Sequence, residues 1–260
     1  MCTVTAICPP PSCGGAARPL MRLTCNRDEQ RSREASIGPA FRSLKDRRAV
    51  MPIDPPSNGT WIGANDAGIV ACLLNGNPAR GPGARRGWPE RLSRGRIVPD
   101  LLAADSLEAA FEVACEIDAD DFPSFRALVL ADGRHFVAYS DGRSIHVTEP
   151  VPLGGPLMLT SSGLGDALVD PPRRALFRLM LLNSPDVLRS VASFHAHRWP
   201  DRPHVSVLMS RPDARTVSRT IVDLHADAIE LVHRRLDDGL HPADGNECFR
   251  LGFNRTEVAA

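Results

Sequence analysis

Residues 2–8 read Cys-Thr-Val-Thr-Ala-Ile-Cys, a β-branched and apolar run that predicts a strand, and an extended pattern resumes over residues 20–25. Between them, the prolines and glycines of residues 9–15 force a turn, so we expect a hairpin at the start of the chain. The two strands of a hairpin are antiparallel, which puts the start of the first beside the end of the second. The pattern therefore predicts that Cys2 lies close to residues 26–28, Asn-Arg-Asp.

Cys2 directly follows the initiator methionine, and a small residue there permits removal of Met1. Removal would give Cys2 both a thiol and a free α-amine. The amine titrates near pH ~8 and the thiol near ~8.5, so the amine can take the thiol proton, directly or through one water. A neighbouring cation and anion would fix the amine and lower the pKa of the thiol. The other interpretation is that Cys2 is a small apolar residue of the first strand.

The composition argues against several classes of partner. The chain has 260 residues, 43% of them hydrophobic, so it can bury a sizeable core, and we expect one domain over residues 1–260. Lys plus Arg equals Asp plus Glu at 31 each, which leaves no net field to hold nucleic acid or an anionic membrane and favours a small, roughly neutral ligand. The sequence has neither a leader pattern nor a run near the ~20 apolar residues of a membrane helix. We therefore expect a cytoplasmic protein without integral membrane association, and the oligomeric state stays open.

The cysteines and histidines predict no resident metal or cofactor. Seven cysteines, an odd number without a repeated spacing, argue against a disulfide framework, so we expect reduced thiols. Cys8, Cys13 and Cys25 form no CxxC pair, which disfavours a zinc site there. The pair His195 and His197 could chelate a metal, but without a nearby acidic ligand a role in packing is the better interpretation.

The order of the predicted elements gives the fold class. After the hairpin, strands are predicted at 60–64, 69–74, 126–130, 135–139, 144–147, 205–209, 216–224, 228–232 and 248–253, helices at 89–104, 106–117, 172–182 and 185–197, and a loop at 30–58. Runs of strands and runs of helices, without βαβ alternation, favour an α+β fold. Two antiparallel sheets packed face to face, with a helical layer outside each, use all of these pieces in a four-layer αββα sandwich.

Four sequence blocks in a fixed order carry a family resemblance. They are Met-Cys-Thr-Val at 1–4, Asn-Arg-Asp-Glu at 26–29, Gly-Thr-Trp-Ile-Gly-Ala-Asn at 59–65 and Leu-Leu-Asn at 73–75. The chain resembles a bacterial member of the NRDE family, named for its transport and Golgi organisation proteins, over essentially its whole length. The resemblance implies an N-terminal nucleophile hydrolase fold, αββα, similar to that of bile salt hydrolases and penicillin V acylases.

The resemblance also implies roles for the residues at the hairpin. Cys2 would be both nucleophile and base, acting through its thiol and its α-amine. Asp28 would anchor the amine, and Arg27 would be its electrostatic companion. Asn26 would shape the same corner of the site.

Three further residues take their implied roles from the wider superfamily. Asn75 matches an oxyanion-hole amide, and Arg215 matches a second arginine near the nucleophile. The acylases have their first arginine where this chain has Cys25, which leaves the role of Arg27 open. A second amide donor is replaced by hydroxyl residues, of which Ser161 could still donate one hydrogen bond.

Two functions follow as expectations. The first is an N-terminal-cysteine hydrolase that cleaves the amide bond of a small, partly apolar acyl substrate after removal of Met1. The alternative is a non-catalytic carrier or trafficking protein for an apolar ligand such as heme or an acyl compound, because no hydrolytic substrate is settled for the family. Under that alternative, His195, His197 and His204 are candidate heme ligands.

Overall fold

The structure is a computed structural model. It describes residues 2–10, 18–77, 91–243, 245 and 247–254. Most of the predicted turn at 9–15, Cys13 and the first residues of the predicted helix at 89–104 lie outside this part of the chain.

The first sheet contains the predicted opening hairpin at its centre. Its six strands, in order across the sheet, are β11 (Leu157–Ser161), β1 (Cys2–Ile7), β2 (Met21–Gln30), β12 (Ala214–Leu224), β13 (Ala228–Arg235) and β14 (Glu247–Gly252). Neighbouring strands are antiparallel throughout. Cys2 is paired with Arg27 across the hairpin, as the sequence predicts.

The second sheet is an antiparallel meander. Its strands, in order across the sheet, are β10 (Val151–Pro152), β8 (Arg134–Ser140), β7 (Phe125–Ala131), β6 (Val70–Asn75), β5 (Ile62–Asn65), β4 (Arg47–Ile53) and β3 (Ile37–Leu44), with β9 (Ile145–Val147) also paired to β8. The strands β5 to β9 confirm the strands predicted at 60–64, 69–74, 126–130, 135–139 and 144–147.

The two sheets pack face to face over a shared apolar core, to which Leu23 and Val222 contribute from the first sheet and Cys72 and Leu128 from the second. Each outer face carries helices. Helices α1 (Ile97–Leu102) and α2 (Leu107–Cys115) cover the second sheet, and α3 (Asp166–Leu181) and α4 (Val187–Ala196) cover the first. The layers therefore follow the order αββα, which confirms the predicted architecture.

The predicted loop at 30–58 is wrong, because β3 and β4 form a hairpin within it. Strand β3 is at the edge of the second sheet and is half-exposed along its length, so its sequence lacks an apolar run. The turn between the two strands contains Lys45 in the left-handed region, at φ 52°.

The predicted strand at 205–209 is also wrong. This buried segment begins as a short 3-10 turn, Pro203–Val205, and continues irregularly. Its carbonyl groups accept hydrogen bonds from side chains, Val205 and Ser206 from Arg173 and Val207 from Asn26. Buried backbone groups must be paired, and here side chains supply hydrogen bonds that a neighbouring strand would otherwise supply.

Helix α3 begins at Asp166, six residues before the predicted start at 172. The prediction put Pro172 at the helix start, where proline is favoured. Instead, Pro171 and Pro172 lie within the helix and cannot donate backbone hydrogen bonds there. None of the helices in the described part of the chain is long and apolar enough to span a membrane.

Candidate active site

A cavity of about 320 Å³ opens beside the first residue of β1. Its wall includes Cys2 and Arg27 from the first sheet and Leu73 and Asn75 from the second. The volume is at the lower end of the range typical for small-molecule sites. Its charged wall residues are Arg27, Arg33, Arg91, Arg94, Glu29 and Asp54.

Cys2 is held from both sides by strand pairing, to Arg27 of β2 and to Ser161 of β11. Its backbone nitrogen donates a hydrogen bond to the Ser161 hydroxyl, at 3.3 Å. The side chain is 3% exposed and lines the cavity. The hydroxyl of Ser161 thus lies at the nitrogen of Cys2, where a group that orients the α-amine would be needed.

The Cys2 thiol is more basic than an ordinary thiol. A hydrogen bond to Cys25 raises its pKa well above the ordinary value, and burial raises it further. Asp28 also acts in this direction, because a nearby negative charge disfavours the thiolate. The predicted lowering of the thiol pKa concerns the chain without Met1 and stays a prediction; with Met1 in place, Cys2 is a protonated thiol at neutral pH.

Arg27 lies next to Cys2 and is bound by two carboxylates. Its guanidinium donates to Asp54 at 2.9 Å and lies 3.2 Å from Glu29. It also stacks over the ring of Trp61, 4.2 Å from the ring centroid. These contacts neutralise the guanidinium and fix it in the cavity wall.

Asp28 lies on the opposite face of β2, toward the helices. The hydroxyl of Thr216 donates to its carboxylate at 2.6 Å, and the guanidinium of Arg173 lies 3.7 Å away. Burial raises the pKa of Asp28, while the charge of Arg173 and the hydrogen bond from Thr216 oppose this. The group is a buried carboxylate one residue along β2 from the partner of Cys2.

Arg173 is a site residue that the sequence reasoning missed. Its side chain is 1% exposed and donates to the hydroxyls of Thr3 and Thr160, at 2.6 and 2.9 Å, as well as to two backbone carbonyls. The signal was present, because the spacing 169, 173, 177, 181 puts this arginine on the buried stripe of α3. An arginine on an apolar stripe requires buried partners.

Asn75 shares the cavity with Cys2, but Asn26 and Arg215 do not line it. The amide of Asn26 donates to the carbonyls of His195 and Val207, at 2.8 and 3.1 Å, and so ties the helical layer to β2.

Arg215 lies in a neighbouring cavity of about 130 Å³, which shares Arg27 and Glu29 with the first. There its guanidinium pairs with Asp238 at 2.9 Å and donates to the carbonyl of Leu236. The structure therefore brings Cys2, Arg27 and Asn75 together at one cavity and puts Arg215 beyond it.

The side chains of His195 and His197 are engaged in hydrogen bonding and packing. His195 is buried, its Nε2 atom lies 2.9 Å from the Thr5 hydroxyl, and burial lowers its pKa well below the ordinary value. The ring of His197 packs instead against Trp199.

Within the described residues, one group of possible metal ligands comes together elsewhere. Asp223, His225 and Glu230 have ligand atoms within 4.8 Å of one another. The carboxylate of Asp223 already forms two hydrogen bonds of 2.6 Å with Arg22. This pairing satisfies the carboxylate without a metal.

Comparisons with known proteins found two similar solved structures and one matching family model. Two variant structures of conjugated bile acid hydrolase from Clostridium perfringens are similar, each at 14% identity, with TM-scores of 0.47 and 0.46. They cover 97% and 98% of this chain, which in turn covers 98% of each of theirs. No curated protein matches the sequence. The family model described as transport and Golgi organisation 2 matches residues 4–172, more than half of the chain. The chain therefore belongs to the transport and Golgi organisation 2 family.

Proposed function

We propose that this protein is an amidohydrolase whose nucleophile is Cys2, exposed as the N-terminal residue after removal of Met1. The observation that carries the proposal is the position of Cys2, the first residue of β1, on the wall of a cavity that Asn75 also lines. A nucleophile needs both access to a substrate and an adjacent base. The cavity supplies access, and the α-amine would be the base.

The raised pKa of the thiol defines how the reaction would start. Because Cys2 is protonated near neutral pH, attack requires a base at the moment the sulfur reacts. The α-amine takes the thiol proton while Sγ attacks the carbonyl carbon of the amide. The resulting ammonium then gives this proton to the leaving amine, which departs and leaves a thioester on Cys2. Water, deprotonated by the same amine, hydrolyses the thioester and restores the enzyme.

Three groups would stabilise the charges that form. The side-chain amide of Asn75 would donate to the oxyanion, a contribution typically worth about 3 kcal/mol in the transition state. On the amine side, the Ser161 hydroxyl already lies 3.3 Å from the nitrogen of Cys2. The buried carboxylate of Asp28 supplies the negative charge that an ammonium ion requires.

The described cavity wall supports a substrate with a polar end. Trp61 and Leu73 offer apolar surface to an acyl group, while most of the charged wall residues are arginines. The substrate we infer is therefore a small amide with a short or partly apolar acyl group.

A non-catalytic carrier of a small acyl compound is the second candidate. The high thiol pKa and the pairing of Arg27 with two carboxylates favour it, because neither activates Cys2. Heme is less suited to this cavity, since its described lining contains no histidine.

The test combines intact mass with turnover of a panel of N-acyl amides. We expect purified protein to lack Met1, and we expect a thioester adduct on Cys2 during turnover. Cys2→Ala should lower kcat/KM by at least about 1000-fold, while Cys115→Ser, which alters an exposed thiol, should leave it unchanged. Retained Met1, or equal turnover by Cys2→Ala, would overturn the hydrolase. Equal ligand binding by both variants without turnover would favour the carrier.

A further inference from the structure

Three cysteines lie together between the two sheets, at the base of the candidate site. Cys2, Cys25 and Cys72 belong to the same buried core cluster and come from β1, β2 and β6. Cys25 and Cys72 are fully buried, whereas Cys2 also lines the cavity. Only the first of the three thiols therefore meets small molecules that enter the cavity.

The strand register puts Cys2 and Cys25 on the same face of adjacent strands. Cys2 is paired with Arg27 and Val4 with Cys25, so the two cysteines are diagonal neighbours. Their thiols interact, since each affects the pKa of the other, and Cys25 interacts in the same way with Cys72. Diagonal neighbours on antiparallel strands are typically about 7–8 Å apart, beyond the Cα–Cα distance of a relaxed disulfide, so a bond between the two sulfurs also requires a small shift of β1 against β2.

We propose that Cys2 is a peroxide-modified site and that Cys25 is its resolving thiol, so that oxidation ends in a Cys2–Cys25 disulfide. Hydroperoxides are the chemical class of oxidant, because a molecule of this size can reach Cys2 through the cavity. Because the thiolate is the reacting form and Cys2 is protonated at neutral pH, the oxidation should be slow there and faster at alkaline pH.

The steps balance without any other reactant. The sulfur of Cys2 attacks one oxygen of hydrogen peroxide, the O–O bond breaks, and Cys2 becomes a sulfenic acid with release of one water. The sulfur of Cys25 then attacks the sulfur of the sulfenic acid, the S–O bond breaks, and a second water carries away the thiol proton of Cys25. Peroxide is reduced by two electrons, and the two thiols are oxidised by two.

The position of Cys25 has a chemical consequence for Cys2. A sulfenic acid without a nearby thiol is oxidised further to sulfinic acid, which is irreversible for most proteins. With Cys25 in contact, the disulfide forms first and a thiol reductant restores Cys2. The disulfide does not depend on turnover, but its role as a reversible block of activity rests on the proposed function.

Mass spectrometry of the reduced full chain tests the disulfide directly. The chain is treated with hydrogen peroxide near pH 8.5, where more of the reactive thiolate is present, and remaining thiols are blocked with N-ethylmaleimide. We expect a loss of about 2 Da before blocking, a peptide that joins Cys2 to Cys25 after it, and recovery with dithiothreitol. Because Cys8 and Cys13 share a tryptic peptide with Cys2, fragmentation must locate the bond.

Two variants test whether Cys25 is the thiol that reacts with oxidised Cys2. Cys25→Ser should replace the disulfide by a gain of about 32 Da at Cys2, the sulfinic acid, whereas Cys115→Ser should behave as the unmodified chain does. Direct sulfinic acid formation in the unmodified chain, or a bond that joins Cys2 to another cysteine, would overturn the proposal. Because the readout is mass, it stands even if no amide is hydrolysed.

Discussion

Arg27 and Asp28 are neighbours on β2, yet they belong to two different charge networks, one that lines the cavity and one that is buried beneath the helices. Arg27 faces the cavity and shares two carboxylates with Arg33, whose side chain is 35% exposed. Asp28 faces the helices and meets Arg173, where both side chains are 1–2% exposed. We call these the cavity network (Arg27, Glu29, Arg33, Asp54) and the buried network (Asp28, Arg173, Thr216, Thr3, Thr160).

The difference shows what each network can tolerate. In the cavity network, the side chains of Arg33 and Glu29 are 35% and 20% exposed, so water can replace Arg33 at small cost, although Arg27 and Asp54 are buried. The buried network is sealed, so each group removed leaves another without a partner. The same strand thus supplies an adaptable surface on one face and a rigid support for Cys2 on the other.

Arg173→Met should break the buried network with the largest effect. It leaves the Asp28 carboxylate buried without its cation, so we expect a loss of about 3–5 kcal/mol in the free energy of unfolding. Urea denaturation measures it. The control is Arg174→Met, next in sequence but 42% exposed and paired with Asp170, which should cost at most about 1 kcal/mol. Equal costs for the two variants would mean that the buried network carries no special energy.

The cost of Arg173→Met should also depend on pH. Burial raises the folded-state pKa of Asp28, and without Arg173 it rises further. The folded state then binds this proton more tightly than the unfolded state, so stability is gained as pH falls through the folded pKa. We therefore expect the variant's deficit, relative to the unmodified chain, to be smaller at pH 5.5 than at pH 8. A deficit independent of pH would show that Asp28 is not the group affected.

Thr216→Val should weaken the same network by about 2 kcal/mol, since it removes the hydroxyl that donates to Asp28 and accepts from the Met209 backbone. Thr24→Val is the matched control, because the buried Thr24 hydroxyl has no hydrogen-bond partner in the described part of the chain. Thermal unfolding of both variants is the measurement. A neutral result for Thr216→Val would contradict the network.

Arg33→Gln should have the smallest effect and sharpen the contrast. Asp54 keeps its contact with Arg27, so we expect a cost below about 1 kcal/mol. Half-molar salt should shrink this cost further, because exposed ion pairs are screened. Urea titrations at two salt concentrations test it. A large cost that does not change with salt would contradict the contrast, because the cavity network would then respond as the buried network does.

Regular patterns made much of the fold predictable. In the opening hairpin and in the meander at 125–147, apolar segments alternate with turn residues. The residues Asn65–Gly68 give a clear turn signal between two apolar strands. Edge strand β3 was not predicted, because it is half-exposed along its length and its sequence therefore lacks an apolar run. The segment at 205–209 is apolar, as a strand would be, because it is buried. Its sequence does not show which groups will donate hydrogen bonds to its carbonyls.

The candidate site was predictable only in part. Cys2, Arg27 and Asp28 follow from hairpin geometry, which is local. Arg173 comes from a helix far along the chain, and its contact with Asp28 depends on how α3 packs against the first sheet. The direction of the Cys2 pKa likewise depends on Cys25 and on burial, which strand order alone does not give.

The pairing of β1 on both sides sets which face the thiol occupies. Side chains alternate along a strand, so a shift of one residue would turn Cys2 toward the helices and Thr3 toward the cavity. Five residue pairs with β11 and six with β2 would have to change together in such a shift. The register of one six-residue strand therefore decides whether a thiol or a hydroxyl faces a ligand in the cavity.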